Sequence, residues 1–349
     1  MSGRLSIALV GAGRIGSLHA SVLARSAGVA ELIVVDDDQQ RAREIADTVG
    51  ASVAGTVESA LDRADAAVIA APTDVHADLI RKSIRRGLPT FCEKPLAQDL
   101  ATTLDVAAEI EGAAVPFQLG FQRRFDAAYA EARRLVETGG LGTLYSITLT
   151  AHDHEPPPES YIPGSGGLFR DSSIHDFDIL RWMTGDEVAE VGALGAVLGF
   201  PMFARYDDID TTVATIRMTR GTLVALTGSR HNPMSYDIRA ELFGSSDTVT
   251  VGLGPRTAIR SLEPGASPPT EPGWPGFIER FRDAYAAELD AFVRVATGEL
   301  GSPCTAHDGV EALRIAEAAT RSLQEHRPVS LDEIPAAQEP AVPQEEVPR

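Results

Sequence analysis

Short apolar runs alternate with helical patterns over the first 120 residues of the chain. The apolar runs are typical of buried strands and lie at Leu5–Val10, Glu31–Val35, Ala66–Ala71, Thr90–Cys92 and Val115–Leu119. Between them apolar residues recur at intervals of three and four, which predicts helices at Ile15–Arg25, Arg41–Val49, His76–Arg86 and Thr102–Glu111. Such alternation predicts an α/β domain, residues 1–122, with a doubly wound parallel sheet covered by helices on both faces.

The pattern changes after Gly142. Six strand-like segments joined by short turns lie at Leu144–Ala151, Glu190–Leu198, Thr211–Met218, Thr222–Thr227, Asp237–Phe243 and Thr248–Val251. Helical patterns lie at Asp126–Glu137, Ile174–Met183, Phe277–Thr297 and Asp308–Glu325. We therefore predict an α+β domain with a mostly antiparallel sheet over residues 123–334. The acidic, Pro-rich stretch 335–349 cannot bury an apolar face and is predicted to be a disordered tail.

Composition and charge narrow the class of protein. The chain has 349 residues, 44% of them hydrophobic, which is enough for two packed domains. A net charge of −19 argues against nucleic acid or an anionic membrane as a partner, because both bind clustered Lys and Arg. Two cysteines cannot form a disulfide framework, and no long apolar run predicts a membrane span. We expect a soluble, cytoplasmic protein.

A glycine-rich turn follows the first predicted strand and opens a helix. Its residues are Gly11, Ala12, Gly13, Arg14, Ile15 and Gly16, which have the GxGxxG spacing. Gly11 permits the tight turn, Gly13 lets the backbone approach a pyrophosphate, and Gly16 lets helix and strand pack closely. The N–H groups of the helix N-terminus would then face the phosphates. The motif predicts a Rossmann-type dinucleotide site, with a glycine-rich turn that binds nothing as the less favoured alternative.

Acidic residues at the end of the second strand indicate which dinucleotide binds. Asp36 lies twenty residues beyond Gly16 and is followed by Asp37 and Asp38. A carboxylate there accepts hydrogen bonds from both ribose hydroxyls, whereas a 2′-phosphate would meet three negative charges. NAD is therefore favoured over NADP, although Arg41 is near enough in sequence to reach a phosphate.

Two more segments lie at the carboxyl edge of the predicted sheet, where ligands bind in such folds. Pro72 and Thr73 end one strand, and His76 follows on the first turn of the next helix, either as a cofactor contact or as an ordinary helix residue. Glu93 and Lys94 end the next strand. An ammonium there can stabilise a developing alkoxide, although a lysine considered alone could equally be an ordinary surface residue.

An acid and a histidine four residues apart lie in the segment GGLFRDSSIHDFD. If this segment is helical, Asp171 and His175 share one face, and the carboxylate can orient the imidazole and raise its basicity. His175 is then a candidate general base, which alcohol oxidation by NAD needs because the hydroxyl proton must leave as hydride departs from carbon. Asp171 is also placed to be the N-cap of the helix, and the two roles are compatible.

A zinc site is the alternative use of the histidines. His152 and His154 are spaced so that both rings lie on one side of a strand, and His175 would be a third ligand. The sequence defines no further ligand position, so we expect no bound metal.

These residues resemble the oxidoreductases named after glucose–fructose oxidoreductase, inositol dehydrogenase and rhizopine catabolism (Gfo/Idh/MocA). The resemblance extends from Leu5 to Leu331 and is carried by VGAGRIGSLHA, PTDVH, EKPL, GFQRRFD and GGLFRDSSIHDFDILRW. It implies an N-terminal Rossmann domain and a C-terminal domain whose open sheet supports the active site and subunit association, often in a tetramer. It also implies oxidation of a ring hydroxyl of a cyclitol or sugar, with myo-inositol as the first expectation.

The resemblance assigns roles to particular residues. Lys94, Asp171 and His175 fall on the family's catalytic trio: His175 accepts the proton, Asp171 is its partner, and Lys94 positions the oxygen. Further residues expected to face the substrate are Asp153, Tyr161, Asp178 and Tyr236. Those expected near the nicotinamide are Glu93, Lys94 and Gln122.

One departure leaves the substrate open. The inositol-type pattern leads us to expect Arg-Asp-Pro where this chain has His152, Asp153 and His154. The alternatives are therefore scyllo-inositol, an aldose or another sugar for the same chemistry. A non-catalytic sensor that binds a dinucleotide is a further alternative, disfavoured because a sensor needs no base.

Overall fold

The first of two sheets forms the N-terminal part of this computed structural model, which describes residues 3–337. Its strands are β1 (Leu5–Val10), β2 (Val29–Val35), β3 (Ser52–Val53), β4 (Ala66–Ile69), β5 (Thr90–Glu93) and β6 (Phe117–Gly120). They are all parallel, in the order β3-β2-β1-β4-β5-β6. The order reverses between β1 and β4, and the crevice at that point is where such sheets bind ligands.

Five helices connect these strands and confirm the predicted α/β class. They are α1 (Arg14–Leu23), α2 (Gln39–Val49), α3 (Val57–Leu61), α4 (His76–Ile84) and α5 (Leu100–Ala113). Local sequence sets their starts: the Asp38 side chain, for example, accepts hydrogen bonds from the main-chain N–H groups of Gln40 and Arg41 and so caps α2. The hydrophobic pattern does not predict β3 and α3, because a two-residue strand and a five-residue helix are too short to show a period.

The second sheet is open and mostly antiparallel, as predicted. Its strands are β7 (Leu144–His152), β8 (Val188–Ala196), β9 (Thr211–Met218), β10 (Leu223–Ser229), β11 (Asp237–Gly244), β12 (Thr248–Val251) and β13 (Val329–Ser330). Their order is β12-β11-β7-β10-β9-β8-β13, and only β7 and β10 pair in parallel. Residues alternate between buried and exposed along β9, because one face packs on the core and the other faces outward.

The remaining helices cover the inner face of the second sheet or join the two sheets. They are α6 (Ala127–Glu137), α7 (Ile162–Ser165), α8 (Ile174–Thr184), α9 (Phe277–Arg280), α10 (Arg282–Ala296) and α11 (Ala306–Glu325). The single helix predicted at Phe277–Thr297 is two helices, separated at Phe281, whose backbone leaves the helical region. Residues 169–173 form one π-helical turn directly before α8.

Helix α10 packs on the first sheet, although the predicted boundary assigns it to the second domain. Its side chains Leu289, Phe292 and Val293 are buried in the same apolar cluster as β1, β2 and α1. Gly28 lies against Val293, and a Cβ at that position would be 2.6 Å from the valine side chain. This helix therefore fixes the C-terminal half of the chain to the cofactor-side sheet.

The predicted tail, 335–349, is described only in part. The main-chain oxygen of Pro335 accepts a hydrogen bond of 2.9 Å from Nε of Arg314 on α11. Residues 338–349 lie outside the described residues. Within residues 3–337, no helix combines the length and the apolar character that crossing a bilayer requires.

Candidate active site

The glycine-rich turn has the shape that a bound pyrophosphate needs. Gly11 has φ of +103°, and a Cβ there would lie 2.6 Å from the carbonyl group of Ala70. A Cβ on Gly16 would lie 2.0 Å from the Gly11 oxygen, so a larger residue fits neither position. At Gly13, by contrast, no atom of the described chain lies within 4 Å of the Cβ position, and no side chain caps the N-terminus of α1. A phosphate can therefore approach the unpaired N–H groups there.

Arg14 and Ile15, in the same turn, have different surroundings. Ile15 packs against the main apolar core. Arg14 is exposed, and its guanidinium lies 4.5 Å from the centre of the Phe277 ring on α9. Arg14 thus links the cofactor turn to the C-terminal half of the chain by a cation–π contact.

Asp36 lies beside the glycine turn, where a ribose would be bound. Its Oδ2 accepts a hydrogen bond of 2.6 Å from the Ala12 N–H, and its Oδ1 accepts one of 2.8 Å from the Asp38 N–H. Arg41 lies 3.8 Å from Asp36 and 3.3 Å from Asp38, so two carboxylates hold its guanidinium. Asp37 is exposed at the crevice edge. This arrangement fits the 2′-hydroxyl of NAD and disfavours a 2′-phosphate.

His76 does not face the cofactor crevice directly. Its ring is buried, Nδ1 lies 2.7 Å from the main-chain oxygen of Pro95, and Nε2 lies 2.8 Å from that of Ala71. Burial holds the pKa of His76 below its ordinary value, and a neutral imidazole has one N–H, so the ring donates to only one of these two oxygens. With both ring nitrogens placed against main-chain oxygens, this geometry does not give the expected direct cofactor contact. His76 instead ties the loop after β4, which contains Pro72 and Thr73, to the loop after β5.

Glu93 forms a contact that the sequence analysis missed. Its Oε1 lies 2.6 Å from Nε2 of His19, which is fully buried on α1. The only sequence signal for His19 is its position three residues after Gly16, on the same face of α1. Gln122, the other residue expected near the nicotinamide, is buried at the end of β6.

Lys94 connects the two halves of the site. Its Nζ donates a hydrogen bond of 2.6 Å to the main-chain oxygen of Asp171 and lies 3.7 Å from Oδ1 of the same residue. The end of β5 and the turn before α8 therefore meet at this ammonium group.

The Asp171 carboxylate is held by groups from two other segments. Oδ1 accepts a hydrogen bond of 2.8 Å from the Tyr161 hydroxyl, and Oδ2 accepts one of 2.7 Å from Nη1 of Arg230. Burial alone would raise the pKa of Asp171, but Lys94, Arg230 and the Tyr161 hydrogen bond together hold it below its ordinary value. Asp171 is therefore an anion at neutral pH.

His175 is neutral, as a proton acceptor must be. Burial, aided by the positive charges of Lys94 and Arg123, holds the pKa of His175 well below its ordinary value. The ring lies edge-on to Phe121, with 5.8 Å between ring centres. In residues 3–337 its Nδ1 atom is buried without a hydrogen-bond partner.

The expectation that Asp171 orients His175 is wrong. An α-helix over both residues would place their side chains on one face, but residues 169–173 form a π-helical turn, which changes the side-chain directions that a four-residue spacing gives. The carboxylate oxygens bond to Tyr161 and Arg230 instead.

Asp153 and Tyr236 lie among these groups. Oδ2 of Asp153 is 3.6 Å from Arg230, and burial raises the pKa of Asp153 to about 6. Burial also raises the pKa of Tyr236, which is therefore a neutral hydroxyl near Arg123 and Asp153. Asp178, in contrast, is not a substrate-side residue, because its carboxylate is bonded to the buried Arg124 at 2.9 Å.

Two arginines belong to this region and were not identified from the sequence. Arg230 pairs with Asp171, and Arg123 pairs with Asp176 at 2.5 Å. Arg123 lies in GFQRRFD, which carries the family resemblance but assigns no role to the arginine, and Arg230 lies in none of the motifs. Only the folded chain brings the two arginines to the site.

His152 and His154 have different surroundings. His154 places Nδ1 3.1 Å from the main-chain oxygen of Asn232, and burial lowers the pKa of His152. Across the described part of the chain, no group of three or more His, Cys, Asp and Glu side chains is arranged to hold a metal ion.

Comparison with known proteins matches both halves of the chain to family models. Residues 5–121 match the model of an oxidoreductase family with an NAD-binding Rossmann fold. Residues 129–250 match the Gfo/Idh/MocA C-terminal domain.

Individual relatives resemble the chain over nearly its whole length. A myo-inositol dehydrogenase of Streptomyces leeuwenhoekii is 38% identical, covering 91% of this chain and 97% of its own. A crystal structure of a myo-inositol dehydrogenase from Corynebacterium glutamicum superimposes with a TM-score of 0.85 at 35% identity, covering 94% and 98%. A scyllo-inositol dehydrogenase from Lactobacillus casei, solved with NAD(H) and scyllo-inositol, superimposes with a TM-score of 0.83 at 26% identity, covering 94% and 99%.

Proposed function

The chain belongs to the Gfo/Idh/MocA family of NAD-binding oxidoreductases, and we propose that it oxidises a ring hydroxyl of a cyclitol to a ketone. The first candidate reaction converts myo-inositol to 2-keto-myo-inositol. The observation that carries this proposal is the convergence of Lys94, Asp171 and a neutral His175 beside the dinucleotide crevice.

The cofactor side of the proposal rests on the turn after β1. NAD, when bound, supplies the hydride acceptor. Its pyrophosphate fits the open space at Gly13 and the uncapped N-terminus of α1, and its adenosine ribose fits the carboxylate of Asp36. The remaining chemistry belongs to side chains of the protein.

His175 and Lys94 have different roles at the substrate hydroxyl. The neutral imidazole of His175 takes the hydroxyl proton as the carbon loses hydride. The ammonium of Lys94 donates to the same oxygen and stabilises the negative charge that develops on it. Asp171 holds the Lys94 ammonium in place through its main-chain oxygen and its carboxylate, and therefore acts on the lysine rather than on His175.

The charges around the pocket favour a neutral, hydroxyl-rich substrate. Asp153, Asp171 and Tyr236 provide acceptors and donors, while Lys94 and Arg230 balance the carboxylates. The similarity to a scyllo-inositol dehydrogenase keeps scyllo-inositol as a second candidate substrate. Selection between these isomers depends on hydroxyl orientation, which the positions of His152 and His154 would influence.

We also propose that the chain forms a homo-oligomer, often a tetramer in this family, through the open face of the second sheet. Leu194, Val213 and Leu223 are exposed on that outer face, on the three adjacent strands β8, β9 and β10. Leu194 lies directly opposite Val213, whereas Leu223 lies opposite Arg217, further along the same face. Exposed apolar residues on one face of a sheet are typical of an interaction surface. Light scattering coupled to gel filtration tests this, with a mass of one chain as the contradicting result.

The experiment for the activity is a substrate panel followed by reduced-nicotinamide absorbance. Purified protein with NAD or NADP is offered myo-inositol, scyllo-inositol, glucose and xylose. Turnover of an inositol with NAD supports the proposal, and turnover of only an aldose replaces the substrate while keeping the chemistry. NAD binding without turnover of any candidate would favour a sensor instead.

A further inference from the structure

Arg230 occupies an unusual position for a buried arginine. It follows β10 directly, its side chain is 4% exposed, and Nη1 lies 2.7 Å from Oδ2 of Asp171 and 3.6 Å from Oδ2 of Asp153. The Nε and Nη2 atoms are buried and, within the described chain, have no hydrogen-bond partner. The guanidinium therefore contacts Asp171 and Asp153 through Nη1, while Nε and Nη2 have no partner among the described residues.

We infer that Arg230 is a positioning residue for the proposed reaction: its guanidinium fixes the Asp171 carboxylate in the orientation that also serves Tyr161 and Lys94. This inference rests on the proposed function for its catalytic meaning. The effect of Arg230 on the pKa of Asp171 can be measured separately from the activity.

Two main-chain hydrogen bonds fix the backbone around Arg230 and so restrict the direction of its side chain. The Arg230 N–H donates to the Asp210 oxygen at 2.8 Å, and the Asp153 N–H donates to the Ser229 oxygen at 2.9 Å. These hydrogen bonds hold the loop after β7 and the loop after β10 together beside Asp171 and Asp153. The direction of the guanidinium is set by the two parallel strands that these loops follow.

Comparison with a neighbouring arginine argues against a purely structural pair. Arg124 bonds to Asp178, to the main-chain oxygen of Pro303 and to Asp308. Among the described residues, the Arg230 side chain has one hydrogen bond to a carboxylate, that of Asp171, and two nitrogens without a partner. Burying unpaired donors costs free energy, and such costs are characteristic of functional sites.

The charged groups facing Asp171 come from every segment packed around it. Lys94 reaches it from the end of β5, Tyr161 from the segment before α7 and Arg230 from the end of β10, and all three favour the anion. Asp153, at the end of β7, repels Asp171, and burial also disfavours its charge. The neutral His175 lies on the following helix.

Removal of Arg230 should therefore raise the pKa of Asp171. A neighbouring arginine lowers the pKa of a carboxyl by about 1–3 units, so its loss restores a shift of that size. A protonated Asp171 no longer supplies the negative charge beside Lys94 and competes with Tyr161 as a donor. The site would then lose activity at a higher pH than the unmodified protein does.

The first test compares Arg230→Met, Arg230→Lys and a matched control in the proposed cyclitol oxidation. The control is Arg181→Met, since Arg181 is 6% exposed and paired with Glu187 but is not among the groups around Asp171. The acid limb of kcat/KM should move upward by about one unit or more in Arg230→Met, a loss of about tenfold or more on the acid side. Arg230→Lys should recover part of this shift. Arg181→Met should leave the limb in place, and KM for NAD should stay unchanged throughout.

A second readout does not depend on activity. Protein labelled with carbon-13 at the aspartate carboxyl carbons is titrated by NMR, and the Asp171 signal is assigned by its loss in Asp171→Asn. The Asp171 pKa should rise by about one unit or more in Arg230→Met. If that variant does not fold, Arg230→Gln has the same expectation, because it also removes the charge.

The possible outcomes distinguish the proposed cyclitol oxidation from the inferred role of Arg230. An unchanged Asp171 pKa in the folded Arg230 variant overturns the inference, whatever the activity. A shifted Asp171 pKa in a protein that oxidises no cyclitol supports the hold of Arg230 on Asp171 and rejects the proposed function. A shifted pKa with an unmoved acid limb shows that the hold exists but does not position the reaction, and so overturns the positioning role.

Discussion

The ammonium of Lys94 donates a hydrogen bond of 2.6 Å to the main-chain oxygen of Asp171. Lys94 follows the last residue of β5 in the cofactor-side sheet, and Asp171 lies in the π-helical turn that leads into α8. This bond joins the strand end that faces the dinucleotide crevice to the segment that carries His175. The position of the candidate base relative to the crevice therefore depends on a contact between the two halves of the chain.

Replacement of His175 should stop the reaction without affecting the cofactor. His175→Ala removes the proton acceptor, and general bases contribute about 10²–10⁴-fold to rate, so turnover should fall by that factor. NAD binding, followed by protein fluorescence, should be retained because the groups assigned to the pyrophosphate and the ribose, at Gly13 and Asp36, do not include His175. The control is His307→Ala, which replaces an exposed histidine and should leave substrate turnover unchanged. Near-normal turnover of His175→Ala would remove the residue from the mechanism.

Asp36 should set the preference for NAD. Asp36→Ala removes the carboxylate beside Ala12, and with it the charge that opposes a 2′-phosphate. A hydrogen bond to a charged group is worth about 1.5–3 kcal/mol, so the ratio of kcat/KM for NAD over NADP should fall by about tenfold or more. Asp47→Ala, on the exposed side of α2, should leave the ratio unchanged. An unaltered ratio in Asp36→Ala would contradict the assigned role.

Much of the fold could be predicted because its signals are local. The strands β1, β9 and β12 have the predicted limits, since each has an uninterrupted apolar or alternating pattern. The glycine turn was identified for the same reason, because its three glycines act within six residues.

The parts of the site that the sequence does not predict depend on contacts between segments that are far apart in the chain. Arg230 and Asp171 are 59 residues apart, and nothing in the sequence around Arg230 indicates that they meet. The π-helical turn at residues 169–173 adds a residue to one turn, which a hydrophobic period does not reveal. The assignment of Asp178 to the substrate side failed for a related reason, because the sequence does not show that Arg124 is buried opposite it.

Arg124 should be important for stability. Its guanidinium and the Asp178 carboxylate are both buried, and Asp308 on α11 also contacts the arginine, at 3.0 Å. Breaking a buried pair by removing one partner costs about 3–5 kcal/mol, because a charge is left without compensation. Arg124→Met should lower the free energy of unfolding in urea by that amount, whereas Arg134→Met, which breaks an exposed pair with Glu131, should change it much less. A loss in Arg124→Met no larger than that in Arg134→Met would contradict this assignment.

Glu288 should make stability depend on pH. The residue is fully buried on α10, and neither carboxylate oxygen has a hydrogen-bond partner in residues 3–337. Burial, with repulsion from Glu93 and Asp178, raises its pKa well above the ordinary value of 4.5. Because the folded pKa exceeds the unfolded one, the contribution of Glu288 to stability is present below the unfolded pKa and is lost as pH rises through the folded pKa.

Glu288→Gln therefore should become more stable relative to the unmodified protein as pH increases. The measurement is the difference in Tm between the two proteins across pH 5 to 9, with the exposed Glu299→Gln as control. The difference should grow with pH for Glu288→Gln and stay constant for the control. A constant difference for Glu288→Gln would show that the carboxyl does not titrate over this range.

The most direct test of the proposed activity follows the hydride itself. The protein is incubated with NAD and myo-inositol that carries deuterium at carbon 2, and the reduced nicotinamide and the inositol product are analysed by NMR. We expect deuterium on the reduced nicotinamide ring and a ketone at carbon 2 of the inositol, with both products formed about 10²–10⁴-fold more slowly by His175→Ala. Reduction of NAD without deuterium transfer would contradict oxidation at that carbon, and the absence of both products with the unmodified protein would contradict myo-inositol as the substrate.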